Sequence, residues 1–269
     1  MFEIKRPTLL LDWVKCERNI DILVAKARLS NVVLRPHFKT HQSHEIGRWF
    51  SDIGVDRCTV SSLEMAEYFA SDDWNNITVA FPLNHLEGDR INQLAAKVKL
   101  NLLVSVADVL PKLLNTLKNE VGIFIEIDTG YHRTGIDGHD QVSLEKVMDE
   151  IDSSRLVRFE GFLSHAGHTY KCKSKDEIEA VHKSEVDILL RLKREYHRRY
   201  PDLILSIGDT PSASVVDEFS EVNEIRAGNL VFYDLTQHKI GSCELNQIAV
   251  ALACPVVATY PERNEIVTY

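Results

Sequence analysis

Gly122-Ile-Phe-Ile-Glu-Ile-Asp128 is a run of β-branched and aromatic residues too short for a helix, and it passes directly into the glycine-bracketed turn Thr129-Gly130-Tyr-His-Arg133-Thr-Gly135. Such a run reads as a strand ending in a loop. Upstream, Val109 to Asn119 repeats apolar residues at intervals of three and four, and Leu144 to Ile151 does so downstream, which places the strand between two helices. The same unit recurs in both directions. Strands are predicted over Val32 to Arg35, Arg57 to Ser61, Ile77 to Phe81, Leu100 to Ser105, Phe159 to His165, Leu203 to Gly208 and Glu224 to Val231. The remaining helices are predicted over Glu17 to Leu29, Glu45 to Ile53, Leu63 to Phe69, Glu87 to Val98 and Asp176 to Arg198.

Strict alternation of this kind predicts an α/β fold with a parallel sheet covered on both faces. Eight strands are the count of a closed TIM (β/α)8 barrel, which typically uses about 250 residues; the barrel is expected over residues 13–240. Thr8 to Asp12 and Ile248 to Tyr269 fall outside the pattern, so residues 1–12 with 241–269 are expected to form part of a small β domain. Glu265 to Tyr269 reads as a strand with no partner following it, from which a truncated chain is expected.

Of 269 residues, 44% are hydrophobic and 26% charged, the composition of a globular protein with a large core. A formal net charge of -9 argues against a phosphate-backbone partner, since nucleic-acid binders present basic surfaces. The cluster Lys193, Arg194, His197, Arg198 and Arg199 reads as a helix end where cations meet the dipole. Cys16, Cys58, Cys172, Cys243 and Cys254 form no CxxC pair and read as free thiols. With an N-terminal apolar run too short for a signal peptide or membrane span, they point to the cytoplasm.

In such a barrel the chemistry lies at the C-terminal strand ends. The first strand ends in Arg35-Pro-His-Phe-Lys-Thr-His41, a lysine between two histidines. A lysine becomes a carbonyl-binding nucleophile when burial and neighbouring cations depress its pKa, although lysines in loops are mostly plain surface residues. At the fifth, Arg133 between Gly130 and Gly135 offers a planar fork to an anionic oxygen, or pairs with Asp128 in an ordinary turn. The sixth ends in Ser164-His165-Ala-Gly167-His168-Thr-Tyr170, side chains able to stack on and hydrogen-bond a ring. Ile207-Gly208-Asp209-Thr210-Pro211-Ser212 and Arg226-Ala-Gly228-Asn229 follow the seventh and eighth, the habitual phosphate site of the fold. Each pattern alone is also turn chemistry.

Taken in order, these five motifs, the last continuing as Asn229-Leu-Val-Phe-Tyr233-Asp, resemble the D-threonine aldolase and eukaryotic-type D-serine dehydratase family. That family shares the alanine racemase type (fold type III) of pyridoxal 5'-phosphate barrel, and the resemblance covers residues 7 to 269. It implies a lyase acting on a D-3-hydroxy amino acid. Lys39 would carry the cofactor as the internal aldimine and move the α-proton, with Arg133 approaching the phenolic oxygen and His165 stacked on the ring. Tyr170 is the candidate for the pyridine nitrogen. Phosphate would be held by Thr210 and the backbone of Gly208, Gly228 and Asn229, with Tyr233 as a further contact. Arg226 competes with Tyr170 for the nitrogen, and an arginine there is the racemase arrangement.

Members of the family also carry a His-x-Cys metal site in the following β domain, so a divalent metal, zinc or manganese, is expected only where that region is present. None of the five cysteines has a histidine two positions before it, and no metal ligand is assigned here. The resemblance further implies a homodimer and a small-molecule D-amino acid substrate, with neither nucleic acid nor membrane as partner. An amino-acid racemase on the same scaffold, a non-catalytic pyridoxal phosphate-binding protein and a barrel for a sugar phosphate stand as alternatives.

Overall fold

The computed structural model describes residues 3–269; the first two positions of the segment 1–12 lie outside the described residues. The strands are β1 (Thr8–Leu11), β2 (Val33–Leu34), β3 (Cys58–Val60), β4 (Asn76–Pro82), β5 (Lys99–Val104), β6 (Val121–Asp128), β7 (Ile136–Asp137), β8 (Val157–Ser164), β9 (Ile204–Ile207), β10 (Glu224–Ile225), β11 (Val250–Ala253), β12 (Val256–Tyr260) and β13 (Glu265–Thr268). The helices are α1 (Trp13–Leu29), α2 (His44–Asp52), α3 (Leu63–Ala70), α4 (Gly88–Ala95), α5 (Leu110–Leu114), α6 (Gln141–Asp152), α7 (Lys175–Tyr196), α8 (Thr210–Val215) and α9 (Leu235–Lys239).

Parallel strands hydrogen-bond in the order β2-β10-β9-β8-β6-β5-β4-β3, and β7 pairs with β6 beside this path. The curled sheet meets itself at a single parallel bridge between His37 and Thr59. There the Thr59 amide donates to the Pro36 carbonyl at 2.9 Å, and the Thr59 hydroxyl donates to the Arg35 carbonyl at 2.9 Å. The seam therefore lies at the root of the Lys39 turn. The fold is the expected α/β barrel, with the helices outside. β6, whose sequence runs apolar on both faces, is buried along all but its last residue. α1 starts on Asp12, whose side chain accepts from the Lys15 amide, and it buries Cys16, Ile20, Leu23, Val24 and Ala27 along one stripe.

Each of the eight predicted strands has a counterpart, but several bounds differ. The segment Glu224 to Val231 leaves the sheet after Ile225 and winds into a 3-10 turn at Asn229–Val231. The helix predicted over Val109 to Asn119 stops at Leu114. Beyond it the Asn92 side-chain oxygen accepts from the amides of Lys118 (2.6 Å) and Asn119 (3.2 Å), tying that stretch to α4. The Thr210-Pro211-Ser212 turn opens the short helix α8, with Asp209 as its N-cap. Six residues are too few to show a helical period. The final strand is paired after all: β13 folds back on β12, with Tyr260 opposite Glu265. β1 lies antiparallel to β11, from Thr8 opposite Ala253 to Leu11 opposite Val250. Arg199, in the basic cluster after α7, forms ion pairs with Glu145, Asp149 and Asp152 of α6. Among the described residues no helix is long and apolar enough to cross a membrane.

Gly161 sits where β8 shifts register against β6, at φ +147. A Cβ there would stand 1.9 Å from the Ile204 carbonyl oxygen of the neighbouring strand, so both the backbone conformation and the space require glycine. Gly161→Ala is expected to cost roughly 3 kcal/mol or more of unfolding free energy, read from the urea midpoint at unchanged slope.

Candidate active site

Lys39 is displayed by an anchor beside it. In the 3-10 turn Phe38–Thr40, Phe38 is fully buried against Phe69 (4.7 Å between ring centroids) and Trp74 (4.8 Å, edge-on), and this fixes the turn with Lys39 facing the barrel mouth. Gly228 lets the end of the eighth strand press against the same turn, since a Cβ there would lie 2.3 Å from the His37 carbonyl oxygen. The turn thus meets β3 on one side and the β10 loop on the other.

The mouth holds a cleft of about 570 Å³. Lys39, Arg133, His165, Tyr170, Gly208, Thr210, Arg226, Gly228 and Asn229 all line it. Tyr233 does not: its hydroxyl shares a 3.0 Å hydrogen bond with Ser214 on the far side of α8. Thr40, Asp209 and Ala227 of the strand-end motifs also line the cleft, and so do His37, Glu126, Ala80, Leu103 and Leu163, none of which was assigned from sequence. His37 and Glu126 fall within the quoted motifs. The three apolar residues belong to ordinary strand runs that carry no local signal of facing a ligand.

Among the described residues the Lys39 amine has no hydrogen-bond or ion-pair partner, and its pKa is lowered, first by desolvation and then by the charges of Arg133 and Arg226. The neighbouring cations are arginines, not the flanking histidines. Burial holds His37 well below its ordinary range and brings His165 and His41 down to about 4, so all three are neutral near pH 7. His41 leaves the cleft for an aromatic cluster with Phe38 and Phe69.

Tautomers follow from the partners. The His165 ring donates through Nδ1 to the Gly208 carbonyl, which leaves Nε2 as an acceptor. His37 accepts at Nδ1 from the Lys39 amide (3.4 Å), so its proton sits on Nε2, beside the Ser61 hydroxyl.

Arg226 lies almost wholly buried below the cleft. Its guanidinium donates to the Ser206 hydroxyl (3.0 Å) and the Ser164 carbonyl (2.6 Å), while Nε has no partner among the described residues. Arg133 stands at the rim, 5.3 Å from the centre of the Tyr131 ring, where the ring face attracts the cation. At the opposite end the Thr210 hydroxyl accepts from the Asn229 amide (3.1 Å), and the Thr210 amide reaches the Tyr170 hydroxyl at 3.4 Å. The site is a cationic cleft with one free amine, one imidazole acceptor and a hydroxyl-and-amide end.

Residues 11–235 match the family described as alanine racemase, N-terminal domain. The D-serine dehydratase of Dictyostelium discoideum is 31% identical over 268 residues, covering 90% of this chain and 66% of that protein. The D-threo-3-hydroxyaspartate dehydratase of Delftia sp. (strain HT23) is 27% identical over 271 residues, covering 98% of this chain and 70% of that protein. The solved structure of the Delftia enzyme superposes with a TM-score of 0.88 at 25% identity, over 96% of this chain and 69% of that one. The chain spans about two thirds of the length of these curated relatives.

Because Arg133 lowers the Lys39 pKa, removing its charge raises that pKa and leaves less free-base amine at a fixed pH. Arg133→Met is expected to slow reductive methylation of Lys39 at pH 7.5 by about threefold, with the effect vanishing at a pH high enough to deprotonate the amine in both proteins. Peptide mass spectrometry reads the rate. An unchanged rate would remove Arg133 from the electrostatics of the amine.

Proposed function

Because the chain belongs to the alanine racemase N-terminal domain family, we propose that it is a pyridoxal 5'-phosphate lyase acting on D-3-hydroxy amino acids, with the cofactor carried on Lys39. The observation that carries this reading is the unpartnered Lys39 amine, its pKa lowered, opening into a cleft shared by all five strand-end motifs.

The residues present fit the cofactor. An amine for its aldehyde, cations for its anionic oxygens and an apolar wall of Ala80, Leu103 and Leu163 for its ring share one cleft, and the buried Nε of Arg226 is a donor without a partner among the described residues. When bound, the cofactor supplies the electron sink for the bond lost at the substrate's α- or β-carbon. Lys39 would hold it and take the α-proton, a role for which a depressed pKa suits an amine near neutral pH. Arg133 would offer its fork to the phenolic oxygen, and neutral His165 would wall one face of the ring. Thr210 with the backbone of Gly208, Gly228 and Asn229 would take the phosphate. Tyr170, with its hydroxyl at the Thr210 amide, supports that same end more than the ring nitrogen, and Tyr233 would brace α8 from behind.

A second reading, an amino-acid racemase, is favoured by Arg226. Its position below the cleft suits the ring nitrogen, and a permanently charged guanidinium gives that nitrogen no proton. A homodimer in the cytoplasm is part of the proposal. The exposed apolar side chains of β1 and β11 support the first element, and five unpaired cysteines support the second. We assign residues 13–240 to the barrel and 3–12 with 241–269 to a β unit, supported by the pairing of β1 with β11.

Wild-type protein incubated with pyridoxal phosphate is expected to absorb above 400 nm and, after borohydride, to carry the cofactor on the Lys39 peptide; Lys39→Ala should lose both. Failure to trap the cofactor in wild type would remove the basis of the proposal. Protein supplied with D-serine, D-threonine or D-3-hydroxyaspartate, assayed with and without zinc or manganese, should release a keto acid or an aldehyde. Appearance of the L-isomer alone would favour the racemase.

A further inference from the structure

The turn from His165 to Tyr170 supplies two walls of the cleft, and a buried carboxyl group from another element holds each of its ends. Before the turn, the Ser164 hydroxyl donates at 2.6 Å to Glu185, a fully buried residue of α7. The amide of Ala166 faces the same carboxyl group. After the turn begins, the Thr169 hydroxyl shares its proton between the Ala166 carbonyl (2.8 Å) and Asp209 (2.9 Å), which also caps α8 by accepting from the Ser212 amide at 2.7 Å.

Packing does not explain these groups. Glu185 stands on a helix face that includes Ile178, Val186, Leu189 and Leu192, where an apolar side chain would avoid the cost of desolvating a carboxyl. One oxygen of each, Glu185 Oε2 and Asp209 Oδ2, is buried without a hydrogen-bond partner among the described residues. A residue that costs free energy where it stands and bonds to the loop carrying the site is better accounted for by what it holds.

We infer that Glu185 and Asp209 are positioning residues, gripping the His165–Tyr170 turn at Ser164 and Thr169 and so setting His165 and Tyr170 against the cleft. The inference rests on that cleft being the active site, as proposed above. Arg226 tightens the first grip from the barrel side by donating to the Ser164 carbonyl. Asp209 links the second grip to Thr210, so the ring wall and the opposite end of the cleft move as one. Burial, with Asp209 beside it, pushes the Glu185 carboxyl up to about 8 against the opposing pull of Ser164, Arg226 and Ala166. It is therefore protonated near neutral pH, and glutamine is its close isostere.

The test compares Ser164→Ala, Thr169→Val, Glu185→Leu and Glu185→Gln with the wild-type chain. In cofactor-free protein, Ser164→Ala, Thr169→Val and Glu185→Leu should raise amide hydrogen exchange across residues 165–170 by about tenfold while exchange in α6 stays unchanged. Glu185→Gln should stay within about twofold of wild type, a rescue that a purely packing role would not give. In protein loaded with pyridoxal phosphate, the first three variants should weaken the induced circular dichroism band of the bound cofactor and Glu185→Gln should keep it. Wild-type exchange in both Ser164→Ala and Thr169→Val would overturn the inference. So would a Glu185→Gln as perturbed as Glu185→Leu. Should Glu185→Leu fail to fold, the two hydroxyl deletions carry the test. Should wild type bind no cofactor, the functional proposal fails and the exchange measurements alone decide the grip.

Discussion

Two buried arginines lace the inside of this barrel together through one carboxylate. Arg35 on the loop end of β2 donates to Glu224 of β10 at 2.7 Å and to the Asn76 side chain at 2.8 Å. The Ser206 hydroxyl of β9 donates to the other oxygen of Glu224 at 2.6 Å and accepts from Arg226, which reaches on to the Ser164 carbonyl of β8. Charges buried this deeply are tolerated only when paired and hydrogen-bonded, and removing one partner leaves the rest uncompensated. The chain of contacts therefore fixes the relative placement of β4, β2, β10, β9 and β8 far more sharply than apolar packing alone. It matters most at β2, where the sheet closes through a single bridge just before the Lys39 turn.

The same lacing sets the electrostatics of the cleft. Arg226 is held below it by groups that cannot move aside, and Arg133 stands at its rim, so the space between is cationic before any ligand enters. Further positive charge is disfavoured there. Lys39 gives up its proton more readily than an exposed lysine, and His37 and His165 stay neutral. An amine that loses its proton more readily than an exposed lysine, a neutral imidazole acceptor and two guanidinium groups form an environment suited to an anionic aldehyde such as pyridoxal phosphate. Of the acidic residues behind the overall charge of -9, Glu126 and Asp209 line the cleft as well.

Much of this was legible in the sequence because the barrel writes its period plainly. Strand runs such as Gly122 to Asp128, buried on both faces, stand out from helices whose apolar residues return at three and four. The strand-end motifs fall where the fold places function, and nine of the ten candidate residues share one cleft. What escaped was set by distance through space. Nothing local marks Leu103 or Ala80 as cleft-facing, since inward and outward strand positions are both apolar in a covered sheet. Tyr233 sits four residues after Asn229, yet the left-handed backbone at that position (φ +48) turns it behind α8. The partner of Ser164 lies on a helix 21 residues away, and a glutamate within a helical repeat gives no sign that it is fully buried.

A crystal structure of the chain grown with pyridoxal 5'-phosphate tests the central claim most directly. Continuous electron density from Lys39 Nζ into the cofactor is expected, with the phosphate against Thr210, Gly228 and Asn229 and the His165 ring along one face. Cofactor joined to a different lysine, or its phosphate bound away from the Gly208–Thr210 and Gly228–Asn229 loops, would contradict it.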